Sequence, residues 1–557
     1  MTSHARGIRP RWSRQFGRVV EALPDGLLAV TACAALLGAV TDWAGLRPLS
    51  SSGASRVVVL LLVAVGCATV GVGRGDRRTG ASVLPSLPGL VLGAYAIGLR
   101  FRSPGDRAEW FLGGDHVRHL IFVAEEQVQG NLDYGSQPYP HAWHTVVTAI
   151  WSASGARIDA AGLRSLVDIM SMAAWCLPAV LSIATGSLTV AFAQRCGASR
   201  AQADAAGLGA GAVILLPPFL GFYQASGFEN SYIGAIVLAV VAREVLTVGD
   251  RRRGSAIALT LVGTVVCAHS WQLLLPACGA AVVHVAWPVV RNGSLSGRCG
   301  LALGSVVCIV AAMPALLALF TTIGIQHATD SGVEAPFPVA LLVVGLGAAV
   351  ALTLRHRRDR ALSTLLVIAV LPALTAIFVA LWVGIPLSNY YPSKLFWHSA
   401  VLTLSPLAVL AVMVWGWSRT RDSSRALQAC RGVAGALATL VLVYALVSPV
   451  AAYVGAWSTV RGPLVLDAIT APRAGEAQVV WLGTIGDDTI GRILLDFYRV
   501  PATRDRTPQK PLDVADECEV LRAAPRPTVL SDRNPADVRR RYACVPDITV
   551  IRSESRR

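Results

Sequence analysis

Lysine is almost missing from this chain: of its 49 basic residues, only Lys394 and Lys510 are lysines. Charge of either sign is also scarce, at 15% of 557 residues against 54% hydrophobic. A soluble chain carries about 25% charged residues, so the shortage excludes an ordinary soluble protein and leaves an integral membrane protein. The net charge of +15 does not point to nucleic acid. No basic tract is interleaved with aromatics, and the arginines sit in short clusters between apolar runs, a topological pattern. No CxxC pair or zinc spacing occurs among the eleven cysteines. Eight of them lie in or beside apolar runs, where cysteine behaves as a small hydrophobe. Cys196 falls in a short basic loop, and Cys518 and Cys544 lie in the polar C-terminal tail, able to pair if that tail is outside the cytoplasm. The glycine-rich GTIGDDTIG lacks both the GxGxxG spacing and the Walker lysine-serine pair, which argues against a nucleotide site. Internal repeats and low-complexity tracts are absent too.

What the chain has is apolar runs. Thirteen approach the roughly 20 residues that a spanning helix needs: 27–46, 56–73, 81–99, 167–192, 205–222, 230–246, 254–268, 271–290, 300–322, 337–354, 361–383, 396–416 and 430–453. The first reads as an uncleaved helix. The short 254–268 run is open to reading as a broken or re-entrant helix. With the N-terminus inside, every arginine-rich short loop, including RHRRDR, falls on the cytoplasmic side, while GFYQASGFEN and IPLSNYYPSK fall outside. The positive-inside rule therefore predicts a cytoplasmic N-terminus (1–26) and a polytopic α-helical membrane domain (27–453) with a large outer loop (100–166). It also predicts an extracytoplasmic C-terminal domain (454–557), whose alternation of short apolar stretches with polar connections reads as a small α/β or α+β module.

The polar residues concentrate in 113–144, GGDHVRHLIFVAEEQVQGNLDYGSQPYPHAWH. Asp115 and His119 stand four apart and share a helix face. A carboxylate between membrane and water is partly desolvated, which raises its pKa toward general-base use; a surface pairing with Arg118 or His119 is the plainer account. Asp115, His116 and His119 do not form a metal-ligand signature of known strength. Glu125 and Glu126 fall in IFVAEEQVQG, read as an amphipathic interfacial helix with a solvated acidic face. Tyr139, His141, Trp143 and His144, in YPHAWH, are either belt anchors at the membrane edge or contacts to a sugar or phosphate. His269 breaks an apolar run, and ionisable groups at that depth are functional by default; a bond to a neighbouring carbonyl is the alternative. Asn230, beside Glu229, reads as a helix cap. Lys394 lies at the end of a span beside Tyr390 and Tyr391, where it either snorkels or binds a phosphate head group.

GGDHVRH followed by YPHAWH, in a many-spanning frame, resembles the GT-C superfamily of polyprenyl-phosphate-sugar-dependent glycosyltransferases. Within it the pattern is similar to the actinobacterial cell-wall arabinofuranosyltransferases and related membrane proteins, which carry D-xxx-H and then YP-x-x-W. The resemblance covers residues 25–453. It implies that Asp115 acts as base on the acceptor hydroxyl, that His119, Tyr139, Trp143 and His144 line the site, and that Lys394 contacts the donor phosphate. It implies a polyprenyl-phosphate-linked sugar donor (arabinofuranose is one such sugar), a cell-envelope glycan or glycolipid acceptor, and a cell-membrane location, with no cofactor called for. The loop lacks the family's paired acidic residues at its start. A transporter or flippase of lipid-linked saccharides and a non-catalytic envelope-assembly protein are the competing expectations. Transporters usually place polar groups at the midplane of repeated halves, whereas here the polar density lies in one loop.

Overall fold

Lipid offers peptide groups no hydrogen-bond partners, so apolar runs must satisfy their own backbone as helices, and this chain does so. The computed structural model describes residues 11–76, 82–103, 107–108, 111–131, 142–249, 253–319, 339–420, 461–482, 484–500 and 513–552. From the N-terminus come α1 (Arg11–Glu21), α2 (Leu23–Trp43), α3 (Ser52–Asp76) and α4 (Leu87–Gly98). The polar stretch supplies α5 (His116–Gln129) and α6 (Ala142–Ala153). They are followed by α7 (Ala160–Arg195), α8 (Arg200–Val213), the short α9 (Gly221–Ala225), α10 (Glu229–Thr247), α11 (Arg253–Ala268) and α12 (Leu275–Asn292). The bundle is completed by α13 (Leu295–Leu319), α14 (Val339–Arg355), α15 (Arg360–Val383) and α16 (Tyr390–Thr420).

Among the described residues, nine helical segments are long and apolar enough to cross a membrane, carried by α2, α3, α4, α7, α10, α12, α13, α15 and α16. α11 and α14 are apolar but shorter, at 16 and 17 residues. The 205–222 run is not one span. α8 stops at Val213 and the chain turns before α9, because Pro217 and Pro218 have no N–H to continue a helix. The run at 430–453 lies outside the described residues.

α10 is the central pillar: 94% of its apolar window is buried, against 11% for that of α3. Its two ends carry buried charge. At the C-terminal end Arg243 donates to Glu244 at 2.8 Å and to Asp25 of α2, which satisfies an ion group that would be costly alone. The outer helices instead expose large apolar side chains, among them Leu60 of α3, Leu303 of α13 and Leu381 of α15. Large apolar side chains left exposed on helices long enough to cross a membrane suit a lipid-facing surface.

α7 fixes the two ends of the bundle. Its 36 residues span about 54 Å at 1.5 Å per residue. Near its start Arg107 donates to Asp168 at 2.8 Å; at its finish Arg195 pairs with Asp359 at 2.6 Å.

The tail is built from α17 (Gly462–Ile469), β1 (Val479–Trp481), α18 (Ile485–Arg499), α19 (Val514–Ala523), β2 (Thr528–Ser531), α20 (Pro535–Arg541) and β3 (Thr549–Arg552). Its strands form a parallel sheet in the order β1-β2-β3, with Val479 opposite Val529 and Leu530 opposite Ile551. Parallel neighbours need crossover connections, and the helices between the strands supply them, so the module is α/β. Cys518 and Cys544 are joined by a disulfide across a Cα separation of 6.1 Å. The GTIGDDTIG stretch is a helix start, where Thr484 and Asp487 form a reciprocal capping box on α18. The tail seats on the start of α7 and on the polar-stretch helices. Arg164 pairs with Asp467 at 2.9 Å, and Phe497 stands 6.0 Å from Trp151, ring to ring.

Candidate functional site

Two turns meet at the tail-bearing end of the bundle. One is GGDH at the start of α5, the other ASGFEN before α10. Gly114 and Gly227 both have positive φ, 57° and 72°. A Cβ on Gly114 would stand 2.6 Å from the carbonyl oxygen of Ser226, and one on Gly227 would stand 2.4 Å from the His116 nitrogen. Only glycine meets both demands. The close approach lets the Asp115 N–H donate to the Ser226 carbonyl at 2.9 Å and brings the first turns of α5 and α10 face to face.

The result is a buried chain of ionisable groups. His116 Nδ1 lies 2.6 Å from Glu229 Oε1, and its Nε2 lies 2.7 Å from the Gln224 carbonyl. His119 Nε2 is 3.0 Å from both Glu229 Oε2 and the Gly227 carbonyl. His119 Nδ1 continues the chain to His144 Nε2 of α6 at 2.6 Å, with the two rings stacked. Burial works against a charged His119 imidazole. The charge and hydrogen bond of Glu229, helped by Asp115, outweigh it and raise the His119 pKa above its ordinary value.

Asp115 itself keeps part of its surface accessible. Tyr390, at the start of α16, donates its hydroxyl to Asp115 Oδ2 at 3.2 Å. One helical turn on, the buried Lys394 places its ammonium 3.3 Å from the centre of the Phe228 ring, 3.5 Å from Tyr390 and 5.9 Å from Trp271. A cation within about 6 Å of a ring face is attracted by its quadrupole. The carboxylates whose charge reaches it are Asp115 and Glu229. A carboxylate and an ammonium far apart in sequence thus share one end of the bundle, bridged by a tyrosine that touches both.

The remaining expected residues are scattered around this centre. Trp143 is buried, and its indole Nε1 has no acceptor among the described residues. Tyr391 packs edge-on to Tyr390 and Trp271, at 5.0 and 5.8 Å between ring centres. Arg118 is half-buried on the first turn of α5. His269 is fully buried and ties its Nε2 to the Ala311 carbonyl at 2.7 Å, the structural alternative that its sequence position left open. Tyr139 and His141 lie outside the described residues.

Three expectations are corrected. α5 is not an amphipathic surface helix: most of its residues are buried, because α6 and the tail's α18 pack on it. Glu126 is therefore not on a solvated face but is 2% exposed, accepting from Thr148 Oγ1 at 3.0 Å. Asn230 does not cap α10, since the cap position is Phe228, without a side-chain bond. Sequence reasoning set Glu229 aside as part of an Asn230-capped helix start and did not single out Phe228 and Trp271. The signal for Glu229 was present: it is an ionisable residue opening an apolar run, the feature that drew attention to His269.

Burial holds the Glu126 carboxyl well above the ordinary range, only partly offset by the Thr148 and Thr145 hydroxyls. An acid whose folded pKa is raised lowers stability as pH climbs from its unfolded value through the folded one. Glu126→Gln is accordingly expected to keep or raise the thermal midpoint at neutral pH and to flatten its decline toward alkaline pH. A midpoint well below wild type at neutral pH would contradict a neutral, buried Glu126.

No family model, curated protein or solved structure matches this chain. Fold and geometry define a mostly helical protein, with nine described helical segments long and apolar enough to cross a membrane and a polar, aromatic-lined site at the end that carries the α/β tail.

Proposed function

We propose that the chain is a membrane glycosyltransferase of the GT-C type. It moves a sugar from a polyprenyl-phosphate donor to a cell-envelope glycan or glycolipid acceptor. The observation that carries the reading is the convergence of Asp115, Tyr390 and Lys394, with Glu229 behind them.

In this reading the Asp115 carboxylate takes the proton of the acceptor hydroxyl as that oxygen attacks the anomeric carbon. The bond from the anomeric carbon to the lipid phosphate breaks, and the electron pair leaves on the phosphate. Lys394 sits where an ammonium stabilises that developing charge in a water-poor setting. Tyr390 orients the base through its hydroxyl. Glu229, His116 and His119 brace the wall behind the base, and His144 and Trp143 line the approach from α6. The site works at the outer face of the cell membrane, with the N-terminus cytoplasmic and the tail extracytoplasmic. Arabinofuranose is the sugar that the resemblance favours.

One observation favours the flippase reading instead. Buried ionisable chains such as Glu229–His119–His144 serve proton relays in transporters. Product analysis separates the readings. The full chain in proteoliposomes is given radiolabelled polyprenyl-phosphate sugar and an envelope acceptor. Label on the acceptor supports the transferase; movement of intact donor lipid without transfer supports the flippase and overturns the proposal.

A further inference from the structure

The opposite end of the bundle holds a second constellation that plays no part in the proposed transfer. The turn between α14 and α15, reading RHRRDR, forms with the end of α7 an open hollow of about 530 Å³. Five arginines line it: Arg195, Arg355, Arg357, Arg358 and Arg360. The one carboxylate in the lining is already engaged. Asp359 caps α15 by accepting from the Ala361 N–H at 2.9 Å, and it binds Arg195 in a two-pronged pair, at 2.6 Å to Nε and 3.2 Å to Nη2. That pair fixes the wall, while Arg357, Arg358 and Arg360 line the hollow without an ion-pair partner among the described residues. His356 adds a ring nitrogen, Nε2, that is buried without a hydrogen-bond partner among the described residues.

Immediately beside it lies a second cavity of about 500 Å³ with an apolar wall, formed by Ala351, Leu352, Leu410, Met413 and Val414. Arg355 lines both. The volumes are in the range of ligand sites, about 300–1,000 Å³. A topological arginine cluster needs only to be solvated on the correct side; it does not require a wall pinned by a two-pronged ion pair and an adjoining apolar cavity. The combination has the chemistry of an amphiphile with an anionic head. Guanidinium forks match phosphate oxygens, and basic pockets between membrane helices recruit anionic head groups.

We propose that this end of the bundle binds an anionic phospholipid, with its phosphate among His356, Arg357 and Arg358 and its acyl chain along Leu352, Leu410 and Met413. The site is independent of Asp115 and Lys394: Lys394 lies in the first turn of α16, whereas Leu410 and Met413 lie several turns further along the same helix.

The test uses the full chain in detergent, titrated with phosphatidylglycerol, phosphatidylcholine or inorganic phosphate, with bound lipid counted by native mass spectrometry. The wild type is expected to retain phosphatidylglycerol over phosphatidylcholine. Each arginine near an anionic lipid surface is worth about a fivefold preference, so the double variant Arg357→Gln, Arg358→Gln is expected to lose about 25-fold. The double lysine variant at the same positions retains most of it. If the glutamine variant does not fold, Ala351→Trp, which fills the apolar cavity from an exposed position without replacing a charged residue, is expected to reduce lipid retention. Equal retention of the two lipids, unchanged preference in the glutamine variant, or complete competition by inorganic phosphate would each overturn the lipid assignment.

Discussion

Asp115→Asn is expected to fold and accumulate as wild type does and to lose about 100- to 10,000-fold of sugar transfer, the usual worth of a positioned general base. The carboxylate sits at the start of α5 with its backbone N–H fixed to Ser226, so the loop does not depend on the side-chain charge. Asparagine keeps an oxygen that accepts from the Tyr390 hydroxyl, now 3.2 Å from Oδ2; it lacks only the capacity to take a proton. Transfer and thermal midpoint are measured on the same preparation. A normal midpoint with lost transfer places the chemistry at Asp115, whereas full transfer removes Asp115 from the mechanism.

The largest effect on stability is expected at Glu229. Its carboxylate is 1% exposed and meets both His116 and His119. Breaking a buried pair by removing one partner costs about 3–5 kcal/mol, because the other charge is left uncompensated. Glu229→Gln therefore lowers the thermal midpoint, and it also changes the pH profile. The His119 pKa is raised in the folded protein, with burial opposing and Glu229 prevailing. The stabilisation from this pair is thus complete below the ordinary imidazole value and is lost as pH rises through the raised one. In wild type the midpoint should fall across that window; in Glu229→Gln the fall should be largely gone. A variant with an unchanged midpoint and an unchanged slope would mean that Glu229 does not hold the histidines.

The sequence reveals the helical frame more readily than the site. Apolar runs around Val30, Ile183 and Val367 become helices because lipid-compatible backbone leaves little alternative. The tail's strands form at VVW, TVLS and TVIR, three of its short β-branched or apolar stretches. The polar stretch announces itself through composition, and the structure brings Asp115 together with Tyr390 and Lys394. What is not legible is anything set by a distant partner. Glu126 looks solvated in sequence, and only the packing of α6 and α18 on α5 buries it. Glu229 looks like an ordinary helix opening until Gly114 and Gly227 bring two histidines against it. The aromatic cage of Lys394 draws Phe228, Trp271 and Tyr390 from three separate stretches, and no local pattern encodes such a meeting. Pro217-Pro218 interrupts the 205–222 run, a breaker that the run's hydropathy masks.

In the proposed transferase, Asp115 and Lys394 serve one reacting centre. A double-mutant cycle on kcat/KM for transfer, using Asp115→Asn, Lys394→Met and their combination, tests this most directly. Groups acting on one transition state are not additive. The combined variant should therefore lose little more than the worse single variant, a coupling of about 0.5–3 kcal/mol. Losses that multiply, with coupling below about 0.5 kcal/mol, would show two residues working at separate places and would contradict the site.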